Sequence, residues 1–331
     1  MKQETFEKIV VTGGAGFIGS HLVDYLVAMG LAKKIIVIDN LSSGSIKNVE
    51  HHVGKDYFVF VNADLKFFDE KWVSFFRDTD AVFHFAANPE VRVSSIEPRT
   101  HFNENVVATF NVLEASRLND VRLHFFASSS TVYGDAEKIP TPEDYALRPI
   151  SVYGASKAAC EMLYHSYSHL YGFSVAIGRY ANIIGYRSNH GVIIDFINKL
   201  RSNLNTLEIL GDGTQRKSYL HISDTIEATM AITLYAKNNK GFHVFNIGNN
   251  DWITVKEIAD IVVDEMNLKN VQYKYVWVTP DGRGWPGDVK LMLLDISKIA
   301  SLTQWRPRLS SKEAVRKTVR EALGKEKFSW I

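Results

Sequence analysis

The sequence predicts an α/β protein in which a doubly wound parallel sheet is joined to a smaller C-terminal α/β lobe. Short apolar segments alternate with helical patterns through the first half of the chain, which is typical of a parallel sheet with right-handed crossovers. The apolar segments do not alternate polar with apolar residues, as expected of strands that are covered on both faces. A glycine-rich turn separates the first apolar segment from the first helical pattern.

The regular alternation ends near residue 180. Before that point the predicted strands are 7–12, 34–39, 57–61, 81–86, 121–128 and 173–178, and the predicted helices are 17–29, 70–77, 99–118 and 153–171. Beyond it we predict strands at 207–213 and 241–247 and helices at 253–266 and 311–323. We therefore expect one domain over residues 1–180 and a smaller lobe made mainly from 181–331. Segments near 218–248 are expected to rejoin the large sheet.

The composition argues against several classes of protein. Lysine and arginine total 38 and aspartate and glutamate total 37, so the chain lacks the basic excess that nucleic acids require. No apolar run is long enough to cross a bilayer and no signal peptide opens the chain, so we expect a cytoplasmic protein without membrane partners. The single cysteine, Cys160, has no partner for an internal disulfide, and we predict no metal site.

The glycine-rich turn, Val10–Ser20, predicts dinucleotide binding. Gly13 and Gly14 allow a tight turn that a Cβ would obstruct. Gly16 lets the backbone approach a pyrophosphate, and Gly19 lets the helix pack close to the strand. The N-terminus of the following helix offers free N–H groups and a positive dipole end to phosphates. These features predict a Rossmann-type domain.

Two aspartates at predicted strand ends bear on the choice of dinucleotide. Asp39 follows Gly19 by about 20 residues, where an acidic residue accepts hydrogen bonds from the adenosine ribose. A carboxylate there would repel a 2′-phosphate, which favours NAD over NADP; the alternative is a solvated residue at a strand end. Asp64 is expected either to bind the adenine amino group or to cap the next helix.

Tyr153 and Lys157 are spaced to share one face of a predicted helix. A free tyrosine has a pKa of about 10, too high for a base at neutral pH. A nearby ammonium group and the positive charge of a nicotinamide ring favour the phenolate, which would then take a hydroxyl proton as hydride leaves for NAD. The alternative is two residues on a helix surface. Several serines end the preceding strand and compete for a supporting role, unless that segment is only a turn.

Six motifs together resemble the extended short-chain dehydrogenase/reductase family, and within it the NAD-dependent nucleotide-sugar epimerases, above all the UDP-glucose 4-epimerases. They are TGGAGFIGSHL, HFAA, SSSTVYG, YGASK, GRYANIIG and the closing GDV…DISKI…WRP pattern. The resemblance covers nearly the whole chain and implies a tightly bound NAD that is regenerated in each turnover.

The resemblance assigns roles to individual positions. It implies that Ser129, Tyr153 and Lys157 are the catalytic residues. The implied NAD-binding residues are Gly13, Gly16, Phe17, Ile18, Gly19, Asp39, Asn40, Ser43, Gly44, Asp64, Leu65, Phe85, Ala86, Ala87, Asn105, Tyr153, Lys157, Tyr180 and Ile183. The implied substrate-binding residues are Ser129, Ser130, Tyr153, Asn182, Val192, Ile193, Arg216, Lys217, Arg283 and Asp288.

The identity of the diphosphate ligand is left open. Lys217 holds the place of the family's diphosphate-binding arginine, and Arg216 precedes it. Arg283 lies two residues early in the closing motif, where Trp285 fills the usual arginine position. Lysine is a point charge rather than a planar fork, so all three cations are candidates. Asp288 is expected to bind a ribose hydroxyl.

The resemblance also distinguishes activities. The family's 4,6-dehydratases have Asp-Glu after the catalytic hydroxyl residue, and its UDP-glucuronate decarboxylases have an acidic residue there; here these positions are Ser130 and Thr131. Epimerisation at C4 through a 4-keto intermediate is therefore expected. The bulky Met292 favours UDP-glucose and UDP-galactose over N-acetylated sugars. Alternatives are epimerases of UDP-N-acetylglucosamine or UDP-glucuronate, a dehydratase or reductase of the family, and a nucleotide-sensing protein without turnover.

The family resemblance further implies a homodimer. Members of the family usually pair through two helices from each chain. In this sequence those helices correspond to the predicted segments 99–118 and 153–171.

Overall fold

The computed structural model describes residues 5–285 and 287–330, so residues 1–4 and 331, at the outer bounds of the predicted domains, lie outside it. The strands are β1 (Phe6–Thr12), β2 (Ala32–Asp39), β3 (Phe58–Asn62), β4 (Ala81–His84), β5 (Leu123–Ser129), β6 (Ser174–Tyr180), β7 (Asn182–Ile184), β8 (Thr206–Leu210), β9 (Arg216–Lys217), β10 (Tyr219–His221), β11 (Phe242–Ile247), β12 (Ile253–Thr254), β13 (Gln272–Val276) and β14 (Leu291–Met292).

The helices follow the predicted order. They are α1 (Phe17–Ala28), α2 (Glu70–Val73), α3 (Pro98–His101), α4 (Ala108–Leu118), α5 (Val152–Tyr171), α6 (Val192–Ser202), α7 (Ile222–Asn238), α8 (Val255–Glu265), α9 (Ser297–Thr303) and α10 (Ser311–Ala322). The predicted helix 99–118 is interrupted, because a π-helical turn at Phe102–Val107 separates α3 from α4. Among the described residues, no helix combines the length and apolarity that a membrane span requires.

Seven parallel strands form the main sheet, in the order β11-β6-β5-β4-β1-β2-β3. Val10 of β1 lies opposite Ile36 on one side and Val82 on the other. This arrangement confirms the predicted doubly wound sheet. The strand order reverses between β1 and β4, and ligands of open α/β sheets bind beside such a reversal, outside the carboxyl ends of the strands.

Both faces of the main sheet are covered, which explains its continuous apolar strands. Ile9 and Val11 of β1 point into the core that contains residues of α1 and α7, and Val10 points into the core that contains residues of α2 and α4. Farther along the sheet, α5 buries Cys160 and Tyr164 against β5 and β6. The consecutive residues Ile9, Val10 and Val11 thus each meet one core or the other, which explains why this part of β1 is continuously apolar.

The C-terminal half builds a second core beside the carboxyl edge of the sheet. Residues of α6, α8 and α10 pack together with the two parallel strands β8 and β13. β11 (Phe242–Ile247) returns to the large sheet and pairs with β6. The lobe thus lies against the edge at which a ligand of the sheet is expected.

We expect Gly19→Ala to destabilise the fold. A Cβ at residue 19 would lie 2.8 Å from the Cα of Gly14 and closer still to the carbonyl oxygen of Gly13, both backbone atoms that do not move independently of the turn. The expected loss is about 1–3 kcal/mol in the free energy of unfolding, as for other overpacked sites, measured by urea denaturation.

Gly30→Ala is the matched control. Its Cβ would meet nothing within 4 Å, although its φ of +62° is strained for alanine at a cost of about 1–2 kcal/mol. Gly30→Ala should therefore leave dinucleotide binding intact, and Gly19→Ala should weaken it. Wild-type binding by Gly19→Ala would show that the close contact between helix and turn is not needed.

Candidate active site

A cavity of about 830 Å³ lies along the carboxyl edge of the main sheet and extends under the C-terminal lobe. Its lining includes the glycine-rich turn, the ends of β4, β5 and β6, and the first turn of α6. The predicted NAD residues among the lining are Gly13, Gly16, Phe17, Ile18, Gly19, Asp39, Asn40, Ser43, Asp64, Leu65, Phe85, Ala86, Ala87, Tyr153, Lys157, Tyr180 and Ile183.

The glycine-rich turn is shaped to receive a phosphate group. Gly13 has a φ of +68°, and a Cβ there would lie 2.6 Å from the backbone nitrogen of Ala86. Gly16 precedes α1 directly, and the first turn of the helix contains no acidic residue. Free N–H groups and the positive end of the helix dipole therefore face the cavity, a backbone cradle that fits the pyrophosphate of a dinucleotide.

Asp39 supports this turn as well as facing the cavity. Its carboxylate accepts hydrogen bonds from the backbone N–H of Ala15 at 3.0 Å and of Leu41 at 2.8 Å. Burial raises the pKa of the carboxyl group, and these two hydrogen bonds oppose that shift. Each oxygen retains a lone pair, so Asp39 can still accept a ribose hydroxyl.

The structure excludes one of the two interpretations of Asp64. The cap of the next helix is Asp69, whose side chain accepts a hydrogen bond from the backbone of Lys71, so the capping interpretation of Asp64 is wrong. Asp64 accepts a hydrogen bond from the backbone of Lys66 instead and lines the cavity. The predicted start of this helix, residue 70, agrees with α2, so its cap had to precede residue 70 directly and Asp64 lies five residues too early.

Ser129, Tyr153 and Lys157 meet at the centre of the cavity wall. Ser129 ends β5 and is hydrogen-bonded to the side chain of Tyr153, near the start of α5. The preceding serine, Ser128, is buried and donates its hydrogen bond to Glu161, away from Tyr153. Ser130 lines the cavity. Of the competing serines, Ser129 is thus the one joined to the tyrosine.

Lys157 is almost entirely buried, with 3% of its surface exposed. Its ammonium donates a 2.8 Å hydrogen bond to the carbonyl oxygen of Ala127 and lies 5.9 Å from the ring centroid of Tyr153. Burial lowers the pKa of Lys157 to about 8, although electrostatic attraction to Cys160 and Glu161 acts in the opposite direction.

The side chains of the protein alone do not lower the pKa of Tyr153 in the way that the sequence predicts. Burial raises it to about 12, although the hydrogen bond from Ser129 acts in the opposite direction. Desolvation therefore outweighs the stabilisation of the phenolate by its protein neighbours. The expected lowering requires a further positive charge beside the phenol.

Two predicted NAD residues lie behind the cavity wall. Asn105, in the π-helical turn, accepts a hydrogen bond from the backbone of Asn88 and donates one to Ser156, each at 2.8 Å. Ser156 in turn donates to the carbonyl oxygen of Tyr153 at 2.7 Å. Gly44 packs on Ala15, whose carbonyl carbon would lie 2.8 Å from a Cβ at residue 44. Both residues support the wall from outside the lining.

The structure places only one of the three candidate diphosphate ligands in the cavity lining. This is Lys217, whose ammonium pairs with Asp288 at 2.5 Å and lies 5.2 Å from the ring centroid of Trp285. The Arg216 guanidinium instead lies 5.8 Å from the Trp252 ring.

Arg283 also lies outside the lining. Its guanidinium pairs with Asp135 at 2.9 Å and with Asp281, and it donates to the carbonyl oxygen of Asp288. Hydrogen bonds from Arg283 and Thr279 lower the pKa of Asp281 to about 2. Arg283 therefore fixes the loop around Asp288 rather than facing the cavity.

The remaining predicted substrate residues surround the far end of the cavity. Asn182 donates a 3.0 Å hydrogen bond to the carbonyl oxygen of Ser218, and Val192 and Ile193 begin α6 with their backbone at the lining. Met292 lies beside them and is buried. The N-terminus of α6 is a second place where helix N–H groups face the cavity.

Sequence reasoning missed two arginines of the lining. Arg92 lies with its guanidinium 4.8 Å from the ring centroid of Trp285. Arg187 pairs with Asp24 of α1 at 2.7 Å. The first is in an irregular segment and the second in a polar loop, so neither falls in a periodic pattern that would have marked it.

A buried ion pair behind the catalytic residues was also missed. Glu161 is fully buried and accepts hydrogen bonds from Ser128 and from Arg179, whose guanidinium approaches to 2.6 Å. Arg179 also donates to the hydroxyl of Tyr133. The pair joins α5 to β5 and β6. The spacing of Glu161 four residues after Lys157 was the available signal.

Comparison with known proteins assigns the sequence that forms this cavity to a family. The sequence profile described as the NAD dependent epimerase/dehydratase family matches residues 9–248, which include the glycine-rich turn and all three central residues. The UDP-glucose 4-epimerase of Mycolicibacterium smegmatis is 30% identical over 321 residues, which cover 94% of this chain and 97% of that protein.

Solved structures show the same likeness. A crystal structure of a UDP-galactose 4-epimerase is 48% identical with a TM-score of 0.85, covering 96% of this chain and 99% of that one. A dTDP-glucose 4,6-dehydratase from Streptomyces venezuelae, solved with NAD bound, is 28% identical with a TM-score of 0.86, covering 96% and 97%. Similar proteins therefore include both epimerases and a dehydratase.

We expect the buried amine of Lys157 to make stability depend on alkaline pH. Its pKa falls from 10.5 in the unfolded chain to about 8 in the folded one, so between these values the unfolded state binds more protons. Stability attributable to this group should therefore rise with pH from about 8 to 10.5, by at most about 3 kcal/mol.

The measurement is urea denaturation of the cofactor-free wild-type chain and of Lys157→Met at pH 8, 9 and 10. The difference in unfolding free energy between the two should grow in favour of the wild type as the pH rises. The series stops at pH 10, which is about the pKa of tyrosine in the unfolded chain. Above it, ionisation of the tyrosines whose pKa is raised in the folded state would lower the stability of both proteins. Parallel curves for the two proteins would contradict a deprotonating amine at this position.

Proposed function

Because the chain belongs to the NAD-dependent epimerase/dehydratase family, we propose that it is an epimerase that inverts C4 of a UDP-sugar, with UDP-glucose and UDP-galactose as the preferred pair. NAD is its cofactor. The observation on which the proposal rests is the joined pair of Ser129 and Tyr153, followed along the wall by Ser130 and Thr131. These two side chains offer hydroxyls where elimination or decarboxylation would need a carboxylate.

Tyr153 is the proposed base. When bound, NAD would supply the hydride acceptor for oxidation at C4 and the hydride donor for the reduction that follows. Tyr153, as phenolate, accepts the proton of the C4 hydroxyl, and Ser129 shares the hydrogen bond along which the proton moves. Once the 4-keto sugar has rotated to present its other face, Tyr153 returns the same proton to the C4 oxygen, which completes the inversion.

Lys157 is proposed to act without exchanging a proton with the sugar. Its ammonium is held by the carbonyl oxygen of Ala127, 5.9 Å from the ring centroid of Tyr153. From there it can bind a ribose hydroxyl of the cofactor and stabilise the phenolate electrostatically.

Lys217 and the N-terminus of α6 are proposed to bind the diphosphate. Lys217 is the candidate cation that lies in the lining, and Val192 places helix N–H groups at the same end of the cavity. Asp288, paired with Lys217, is placed to bind a ribose hydroxyl of the substrate.

We expect Tyr153→Phe to abolish at least 99% of turnover while NAD and UDP-sugar remain bound. The reason is that general base catalysis contributes about 10²–10⁴-fold and phenylalanine preserves the shape of the ring. The measurement is conversion of UDP-glucose to UDP-galactose without added cofactor, followed by chromatography. The same assay with UDP-N-acetylglucosamine and UDP-glucuronate identifies the accepted sugar.

Tyr171→Phe, at the exposed end of the same helix, is the matched control and should retain wild-type turnover. Substantial turnover by Tyr153→Phe would remove Tyr153 from the mechanism. Binding of UDP-sugars without any isomer in the wild-type protein would refute an epimerase.

A homodimer through α4 and α5 forms part of the proposal. Phe110 and Leu118 of α4 are exposed, as are Met162 and Leu170 of α5, and the two helices pack side by side. On α5 the exposed positions Ala155, Ala159, Met162, Ser166 and Leu170 recur at helical spacing. An apolar face that spans two neighbouring helices is typical of a protein interface.

We expect Phe110→Glu and Met162→Glu each to produce monomers. Phe110 is 47% exposed and Met162 is 49% exposed, so neither substitution disturbs the core, but each places a charge in the proposed interface. Light scattering should give twice the 37.4 kDa chain mass for the wild type and one chain mass for the variants. Leu204→Glu, at a 55% exposed residue that follows α6 in the C-terminal lobe, should remain dimeric. A monomeric wild type at micromolar concentration would contradict the interface.

A further inference from the structure

Three side chains with metal-binding atoms converge at the outer side of α1. Asp24 lies on α1, and His51 and His52 lie on the short 3₁₀ turn that faces it. The Nε2 atoms of both histidines lie 2.8 Å from the same Asp24 oxygen, Oδ1. The two imidazole rings lie against each other with centroids 4.1 Å apart. All three ligand atoms are within 4.8 Å of one another.

Each buried member of the cluster has an outer partner that orients it. The Nδ1 atom of His52 is hydrogen-bonded to the hydroxyl of Tyr57 at 3.0 Å, which leaves Nε2 pointing at Asp24. The second carboxylate oxygen of Asp24, Oδ2, accepts from Arg187 at 2.7 Å, which leaves Oδ1 directed at the histidines. Metal-binding imidazoles and carboxylates usually have such partners on their other polar atoms.

The geometry matches a tetrahedral ion after a small adjustment. Zinc bonds to nitrogen and oxygen are about 2.0–2.2 Å long, so adjacent ligands in a tetrahedral site are about 3.3 Å apart. The Nε2–Oδ1 distances of 2.8 Å therefore need to widen by about 0.5 Å. His51, with 48% of its side chain exposed, can widen its own distance, and a small rotation of the Asp24 carboxylate would widen the distance to His52, whose side chain is only 6% exposed.

We propose that Asp24, His51 and His52 bind one Zn²⁺ ion or a similar divalent transition metal, with a water molecule at the fourth position. Two imidazoles and a carboxylate form a donor set that suits Zn²⁺, whereas magnesium and calcium prefer oxygen ligands. The exposed edge of His51 provides the entry path and the place for the water. Tyr57 and Arg187 hold the ligands without touching the ion.

The site is separate from the proposed reaction centre but shares one residue contact with its cavity. Arg187, the partner of Asp24, lines the cavity, and α1 itself begins at the glycine-rich turn. A metal ion on Asp24 is therefore separated from the cavity by the Asp24 carboxylate and the Arg187 guanidinium. The cluster could not be recognised from the sequence, because Asp24 and the histidines meet only through folding, and the expectation of no metal site stays a prediction.

The test is zinc titration of the tag-free, NAD-loaded full chain in the presence of a chromogenic chelator. One equivalent per chain should bind, and Co²⁺ should give the intense visible absorption of a four-coordinate site. His51→Ala should weaken binding by about 100-fold or more, since loss of an outer partner alone costs about 10–100-fold. Tyr57→Phe should weaken it by about 10-fold, and Zn²⁺ should raise the Tm of the wild type but not of His51→Ala.

His169→Ala removes an exposed histidine on α5 and serves as the matched control, with unchanged zinc affinity. Zinc binding should also weaken as the pH is lowered, because protons compete for imidazole. Absence of a saturable equivalent in the wild type would overturn the proposal. Equal binding by wild type and His51→Ala would also overturn it, since the ion would then be held elsewhere.

Discussion

Burial of two titratable side chains is the constraint on which the proposed active site depends. Desolvation moves the phenol of Tyr153 and the amine of Lys157 in opposite directions on the pH scale, and in both cases it favours the uncharged form. A reactive phenolate therefore needs a further cation beside the ring, in addition to the Lys157 ammonium 5.9 Å from its centroid. A unit charge at 4 Å in a medium of effective dielectric constant 20 is worth about 4 kcal/mol, or about three pKa units. That is more than half of the distance between about 12 and neutral pH. In the proposed mechanism the oxidised nicotinamide is such a cation, so the base would become strong only when the hydride acceptor is ready.

A buried polar layer behind the catalytic residues keeps this geometry rigid. Glu161 joins α5 to β5 through Ser128 and to β6 through Arg179. Asn105 joins the loop after β4 to Ser156, and through it to the first turn of α5. The tyrosine and lysine are thus positioned by contacts on the far side of the strands and helix that present them. A desolvated site needs such support because water is not available to satisfy a polar group that moves.

The parts of the structure that could be predicted from the sequence are those with a local cause. The strands of the main sheet were predictable because their central residues face a core on either side and are apolar, as Ile9, Val10 and Val11 are in β1. The glycine-rich turn was predictable because only glycine tolerates its close contacts, such as that of Gly13 with Ala86. The π-helical turn around Asn105 was not predictable, since the same apolar spacing fits an unbroken helix. The partners of Arg187 and Glu161, and the Asp135 partner of Arg283, are distant in sequence, and no local pattern reports such pairs. The capping interpretation of Asp64 could have been rejected from the sequence, because the predicted helix 70–77 begins at the observed Glu70 and Asp69 directly precedes it.

The type of cation that binds the diphosphate affects how freely a bound sugar could rotate to present both faces to one base. Lys217 is a compact point charge, and it already shares that charge with Asp288, beside Trp285. Arg283, which has the planar fork that grips a diphosphate in two places, is occupied by Asp135 and Asp281 instead. A diphosphate held by a point charge and by the N–H groups of α6 is fixed in position but not in torsion. Such an anchor suits a reaction in which the sugar must rotate between two hydride transfers, because a rigid bidentate grip on the group nearest the sugar would oppose that rotation. Lysine at this position is therefore compatible with epimerisation, although it departs from the arginine of the family pattern.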